Sequence, residues 1–274
     1  VTAVIYQFIN FPHHPDYRQP IIDQCNALGL KGTLHLANEG INGTLAGTPA
    51  AIEQGIAYLK TIPGFESLSP RIYPVLDAQS ETDLPFQRLK IKLKKEIVTF
   101  HIPDANPNNA VGTYVKPEDW NNLIQDPDVI VIDTRNDYEY EIGTFKGAVN
   151  PNTDSFVDFP NYVKEQLDPQ QHKNVAMFCT GGIRCEKATS YLLQESFENV
   201  YHLEGGILNY LANMPEEKSL WEGECFVFDE RVALKNGLRP GHYTLCSECG
   251  RPTPKPSEAA EASTPARCNQ CPES

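Results

Sequence analysis

One stretch constrains this chain more than any other: Val175-Ala176-Met177-Phe178-Cys179-Thr180-Gly181-Gly182-Ile183-Arg184-Cys185-Glu186-Lys187-Ala188. An apolar run ends on a cysteine, a glycine-bearing loop follows, and a helical pattern runs from Cys185 to Gln194. Short apolar runs separated by helices read as buried parallel strands. Such a strand puts Cys179 at its carboxyl edge, where open α/β sheets hold ligands. Gly181 and Gly182 let the backbone curl so that successive N–H groups form an anion-binding nest. The helix start adds partial positive charge and Arg184 a full one. All three favour thiolate over thiol, against an ordinary cysteine pKa near ~8.5. They also suit a persulfide, whose terminal sulfur is anionic.

Val129–Asp133 and Asn199–Leu203 repeat the strand pattern, and Ile207–Leu211 begins a further helix. Residues 103–224 therefore read as a parallel sheet covered by helices. Cysteine phosphatases space their loop C-x5-R, whereas Cys179 and Arg184 are spaced C-x4-R, a smaller ring that suits sulfur better than phosphate. Cys179, Thr180, Gly181, Gly182, Ile183 and Arg184 resemble the active-site loop of rhodaneses. The segment Asp133–Asn150 resembles the rhodanese D-x-R…E…G-x-x-x-G-A signature, with Thr144 where His is usual. Asn199–Tyr210 resembles the closing L-x-G-G segment, with Tyr210 where many members carry Trp. The resemblance implies an α/β rhodanese domain. Asp133 and Arg135 stand at another strand's carboxyl end, as a buried pair supporting the loop or, less readily, as catalytic groups. Cys185 packs in the helix or serves as a resolving thiol for an oxidised Cys179. Glu139 and Glu141 read as a solvated helix face.

Residues 1–102 alternate as β-α-β-β-α-β: strands at Val1–Phe8, Thr33–Ala37, Gly43–Ala46, Arg71–Leu76 and Leu89–Phe100, helices from Pro15 to Leu28 and from Pro49 to Lys60. This is the order of a ferredoxin-like α+β domain. Gly29 reads as a helix C-cap. Arg88, Lys90, Lys92 and Lys94 alternate with Leu89, Ile91 and Leu93. Alternation along a strand puts the four cations on one face, either as an RNA contact or as the charged guard of an edge strand. The Pro/Asn-rich Ile102–Asn109 looks like a linker.

Residues 225–274 form a Cys-rich C-terminal segment. Cys246, Cys249, Cys268 and Cys271 make two C-x2-C pairs, a spacing that supplies four thiolates to a structural zinc ion; redox disulfides are the other reading. Pro252–Pro265 is Pro/Ala/Ser/Glu-rich and reads as a flexible insertion. Cys25 and Cys225 read as small buried residues.

The formal charge of −13 is uneven. Residues 1–102 carry 9 basic and 9 acidic side chains, residues 103–224 carry 8 and 21, and residues 225–274 carry 6 and 6. Both ends therefore remain free to meet a polyanion. No run approaches the ~18 apolar residues of a membrane span, and the N-terminal stretch alternates like a strand rather than a signal peptide. A cytoplasmic location is expected, where thiols stay reduced. There is no G-x-G-x-x-G fingerprint for a flavin or nucleotide, His13-His14 reads as solvated, and no motif sets an oligomeric state.

The front domain with Glu39-Gly40-Ile41-Asn42-Gly43-Thr44, the loop from Cys179 to Lys187 and the cysteine-bearing tail together resemble the bacterial tRNA uridine hydroxylase family. That resemblance spans essentially the whole chain. It implies oxygen-dependent formation of 5-hydroxyuridine at the wobble position, with tRNA bound by its anticodon loop, molecular oxygen as co-substrate and Cys179 required. A sulfurtransferase carrying sulfane sulfur on Cys179 is the competing enzyme; a binding module with an inert rhodanese part is the competitor from another class.

Overall fold

The structure is a computed structural model that describes residues 1–76, 83–256, 266–268 and 271. Part of the Pro252–Pro265 insertion lies outside the described residues. The first domain runs β1 (Thr2–Phe8), α1 (His14–Ala27), β2 (Lys31–Ala37), β3 (Gly40–Ala46), α2 (Pro49–Leu59), β4 (Arg71–Tyr73) and β5 (Leu89–Leu93). The sheet order is β4-β1-β3-β2-β5, a ferredoxin-like arrangement with β5 added parallel to the edge of β2. Thr48 caps α2 by accepting from the Ala51 amide at 3.2 Å, and Pro49 supplies a preset first turn. Gly29 follows α1 in the left-handed region, as the sequence suggests.

Strand alternation divides the sheet into two working faces. Ala3, Ile5, Leu34, Leu36, Ile41, Leu45 and Ile91 are buried in the core under α1 and α2. Thr2, Val4, Tyr6, Thr33, His35, Asn42 and Thr44 occupy the other face. That second face is largely half-buried. It packs against the next domain, with Val4 and Tyr73 joining that domain's core.

The second domain contains β6 (Thr113–Val115), α3 (Pro117–Ile124), β7 (Val129–Asp133), α4 (Asp137–Tyr140), β8 (Gly143–Phe145), α5 (Phe159–Gln166), β9 (Asn174–Phe178), α6 (Ile183–Gln194), β10 (Asn199–Leu203) and α7 (Gly206–Asn213). Its parallel sheet has the order β6-β10-β9-β7. Beyond it, β11 (Trp221–Gly223) pairs with β8, β12 (Cys225–Phe226) with β13 (Ala233–Leu234), and β14 (Tyr243–Leu245) with β15 (Pro252–Pro254).

The strand expected over Leu89–Phe100 stops at Leu93. The Glu96 carboxylate accepts from the Phe100 and His101 amides at 3.0 and 3.2 Å, turning the chain away from the sheet. The linker at 102–109 is packed rather than free, because Ala105 is buried in the core between the second sheet and its helices. Ion pairs clamp the two domains. Lys187 lies 2.8 Å from Glu39 and 2.6 Å from Glu96, and Arg71 lies 2.8 Å from Glu204.

Candidate active site

β9 delivers Cys179 to the carboxyl edge of the sheet, and α6 starts four residues later. The loop between them curls because Gly182 adopts φ 98°, a conformation that side chains resist. Its amide donates to the Cys179 Sγ at 3.2 Å. Burial raises the pKa of this sulfur. The Cys185 thiol, the Arg184 charge and the amides of Cys185 and Arg184 outweigh it, and the net effect is a fall from 9.0 to about 6. Cys179 is therefore a thiolate near neutrality while its neighbour is not. Burial, and the negative Cys179 beside it, push Cys185 well above the ordinary thiol range. The Cys185 sulfur also lies 3.6 Å from the Thr134 hydroxyl.

Arg184 does not stand free beside the sulfur. Its two terminal nitrogens bind Glu139 at 2.6 and 2.9 Å. Glu139 is fully buried, which corrects the expectation of a solvated face; Glu141 is exposed. The Glu139 carboxylate also accepts from the Asn136 amide at 3.1 Å. Burial opposes its charge, but Arg184 holds its pKa below the usual value. Thr180 links the same pair, with its hydroxyl 3.4 Å from Glu139 and 3.3 Å from Arg184.

Asp133 and Arg135 form a fully buried ion pair, closest at 2.6 Å. Arg135 also donates to the Gly143 carbonyl at 2.6 Å and sits 5.2 Å from the Trp221 ring, while Thr144 donates to Asp133 at 3.0 Å. Among the described residues their hydrogen bonds tie β7 to β8 rather than reach the Cys179 loop. The direct brace from this strand end is Thr134, whose amide and hydroxyl both donate to the Phe178 carbonyl at 3.0 Å. Behind the loop, Gly206 lies so close that a side chain there would strike the Cys179 carbonyl at 2.4 Å, and the Ile207 amide donates to that carbonyl at 2.9 Å. This close approach explains the L-x-G-G segment.

Cys179 opens onto a cavity of about 500 Å³ walled by all three parts of the chain. The first sheet contributes Tyr6, His35 and Asn42; the loop contributes Cys179, Thr180 and Arg184; the C-terminal part contributes Phe228. Phe228 is 66% exposed at this rim. Burial and the nearby Lys94 and Lys92 lower the His35 pKa, favouring the neutral ring. Arg88, Lys90, Lys92 and Lys94 are all exposed. Pairing of Lys90 with Thr33 and Lys92 with His35 puts these cations on the cavity-lining face.

Tyr6, His35, Phe228 and Glu186 were not singled out from the sequence. Only Glu186 had a signal, its place inside the quoted loop. Cys25 and Cys225 are buried as expected, and His13 is exposed.

The four tail cysteines converge. Cys246 and Cys271 lie 3.8 Å apart, Cys249 and Cys268 3.5 Å, and all four sulfurs fall within 4.8 Å of one another. Gly250, at φ 73°, turns the first knuckle, and its amide donates to the Cys246 carbonyl at 2.9 Å. Such a cluster can hold a metal ion. No helix among the described residues is long and apolar enough to cross a membrane.

Comparison with known proteins agrees with this layout. Residues 1–97 match the UPF0176 acylphosphatase-like domain and residues 116–213 the rhodanese-like domain. A tRNA uridine(34) hydroxylase of Teredinibacter turnerae is 58% identical over 92% of this chain and 77% of its own. One from a Picosynechococcus species is 56% identical over 92% of this chain and 83% of its own. Among solved structures, a rhodanese-like domain from an Anabaena species is 18% identical, covering 41% of this chain and 80% of that one, with a TM-score of 0.34.

Proposed function

The chain belongs to the tRNA uridine(34) hydroxylase family, and from that premise we propose that it converts the wobble uridine of tRNA to 5-hydroxyuridine, with Cys179 as nucleophile and molecular oxygen as co-substrate. The observation that carries the reading is a single thiolate on the wall of a cavity of about 500 Å³ shared by the domains. Uracil C5 is a poor target for an oxidant by itself. Addition of the thiolate at C6 gives C5 enolate character and opens it to oxidation. Replacing C5–H by C5–OH with molecular oxygen consumes two electrons and two protons and releases water. The Cys179 thiolate and the Cys185 thiol together can give two electrons and one proton by closing a disulfide, the second proton coming from solvent, which makes Cys185 the resolving thiol.

A wobble base sits in a single-stranded loop, so extruding it into the cavity costs less than opening a duplex. Arg88, Lys90, Lys92 and Lys94 supply a phosphate track on the sheet face that leads to the cavity. The tail cysteines hold zinc. A tetrahedral zinc–thiolate site with ~2.3 Å bonds places its sulfurs ~3.8 Å apart, and the sulfur separations of 3.5 and 3.8 Å fit. Four thiolates leave no open position, so this metal is structural. The compartment is the cytoplasm, where tRNA is found and thiols stay reduced.

The test is mass spectrometry of tRNA nucleosides from cells lacking this protein, complemented with wild type or Cys179→Ala. Wild type restores 5-hydroxyuridine and the variant does not. Equal restoration by both overturns the nucleophile, and thiosulfate:cyanide activity without hydroxylation replaces the reading with sulfur transfer.

A further inference from the structure

Three side chains form a line from the protein surface to the cavity. Tyr114 on β6 is 46% exposed, and its hydroxyl donates to both oxygens of Glu186 at 2.7 and 3.0 Å. Glu186, on the first turn of α6, is only 5% exposed. Tyr6, from the other domain, donates to the same carboxylate at 3.0 Å. Tyr6 lines the cavity that holds Cys179, and its hydroxyl lies 3.0 Å from where a side chain on Gly182 would begin. The phenol therefore rests against the loop that curls around the sulfur.

Domain docking alone does not account for this carboxylate. The docking charges are paired elsewhere, Lys187 with Glu39 and Glu96, and Arg71 with Glu204. Glu186 forms no ion pair among the described residues, and a buried carboxylate without a cation is costly to keep. The groups facing it are Tyr114 and Tyr6, the Cys179 sulfur, and Arg71, already paired with Glu204. Burial raises its pKa, the two phenols lower it, Cys179 raises it and Arg71 lowers it, with a net rise. A carboxylate in that position accepts a proton more readily than an exposed one.

We propose that Tyr114, Glu186 and Tyr6 form a proton path between solvent and the Cys179 cavity, with Tyr6 as the catalytic residue that takes the proton leaving uracil C5. The proposal rests on the hydroxylase reading above. The step begins once C5 bears oxygen and C6 bears the Cys179 sulfur. The C5–H bond breaks, and its proton goes to the Tyr6 oxygen as Tyr6 passes its own proton to Glu186. The C5–H electron pair becomes the C5=C6 double bond. The C6–S pair returns to Cys179 as thiolate. No electrons are gained or lost. Glu186 then releases its proton through Tyr114. The hydrogen-bond polarity fits the first transfer, because Tyr6 points its proton at Glu186. For the second, the exposed Tyr114 hydroxyl turns from Glu186 toward solvent, accepts from the protonated carboxyl and passes its own proton out.

The experiment compares wild type, Tyr6→Phe, Glu186→Gln and Glu186→Asp on tRNA carrying hydrogen or deuterium at C5 of the wobble uridine. Tyr6→Phe and Glu186→Gln are expected to lower kcat about a hundredfold, the scale of a lost proton-transfer group, with KM within about twofold. A C5 deuterium isotope effect should emerge in both, a covalent protein–tRNA adduct should accumulate, and Glu186→Asp should restore part of kcat. Wild-type kcat in either variant overturns the path. So does a loss confined to KM or Tm with the isotope effect and pH profile unmoved, which marks a docking role. If wild type itself forms no 5-hydroxyuridine, the hydroxylase reading fails and takes this proposal with it; a normal wild type beside an unimpaired Tyr6→Phe sinks the path alone.

Discussion

The molecule gathers sulfur in two places and treats it in opposite ways. At Cys179 one sulfur sits at a buried strand end, with Gly182 donating an amide at 3.2 Å. Its negative charge is stabilised by the Cys185 thiol, the Arg184 charge and backbone amides, with no cation bonded to the sulfur, so the lone pairs stay available for attack. In the tail, four sulfurs crowd within 4.8 Å, two from the turn of the β14–β15 hairpin and two from Cys268 and Cys271. Four negative charges that close need a cation, and a cation consumes their lone pairs. The contrast shows that reactivity follows from how a thiolate is stabilised and not from how many cysteines are present.

The sharpest break of that comparison is a pair of substitutions. Cys179→Ala should remove hydroxylation by at least about a thousandfold, as expected for loss of a nucleophile, with bound metal and Tm unchanged. Cys249→Ser should do the reverse: metal content falls, and wobble hydroxylation persists wherever the tail is not needed for folding. Nucleoside mass spectrometry and metal analysis on the same preparations read both. Metal loss in the Cys179 variant would show that the clusters are not independent.

A second test concerns Glu139, which neutralises the one full charge at the loop. Glu139→Ala takes away the carboxylate that pairs with the Arg184 guanidinium, which stays at 10% side-chain exposure. Breaking a buried pair from one side costs about 3–5 kcal/mol, measurable by denaturant unfolding. The pH dependence has a definite sign. The Glu139 pKa is lowered by folding, so its contribution is present above the unfolded carboxylate pKa and is lost as pH falls through the folded one. Wild type should therefore lose stability in acid faster than Glu139→Ala does.

A third test is metal removal. Chelation of the purified protein should release about one zinc per chain and expose the β14–β15 hairpin to protease, since metal binding supplies folding energy to such tails. The reactivity of Cys179 toward an alkylating agent should not change. Faster alkylation after chelation would mean that the tail controls access to the cavity.

These contrasts were unequally legible in the sequence. The Cys179 loop and the tail pairs announce themselves, because a strand–glycine–helix junction and a doubled C-x2-C are local patterns. The ferredoxin-like order was legible too, since period-2 and period-3.6 stretches alternate cleanly. Glu139 was misread because α4 is only four residues long, and no helical stripe can show which side of it is buried. Tyr6 and Tyr114 reach Glu186 from 180 and 72 residues away; the docking of the two domains brings Tyr6 there, and the parallel sheet of the second domain brings Tyr114. Alternation along β1–β3 records which residues lie outside the local core, but not that the second domain covers them.

The smallest effect expected is also the most specific. The Cys185 thiol hydrogen-bonds the Cys179 sulfur and helps lower its pKa to about 6, while burial and Cys179 itself keep Cys185 protonated. A hydrogen bond to a charged group contributes roughly 1.5–3 kcal/mol, and one pKa unit corresponds to about 1.4 kcal/mol. Cys185→Ala should therefore raise the Cys179 pKa by about one to two units. Thiolate is present above the pKa and lost below it, so the acid limb of alkylation rate against pH should move from near 6 toward 7 or 8. Alkylation reads the pKa directly and needs no turnover, which separates this donor role from any later resolving role. Cys185→Ser keeps a donor and should shift the limb less than Cys185→Ala. An acid limb left in place by both variants would assign the low pKa to the amides and Arg184 alone. The two sulfur clusters would then differ by backbone geometry, with no thiol–thiol contact required.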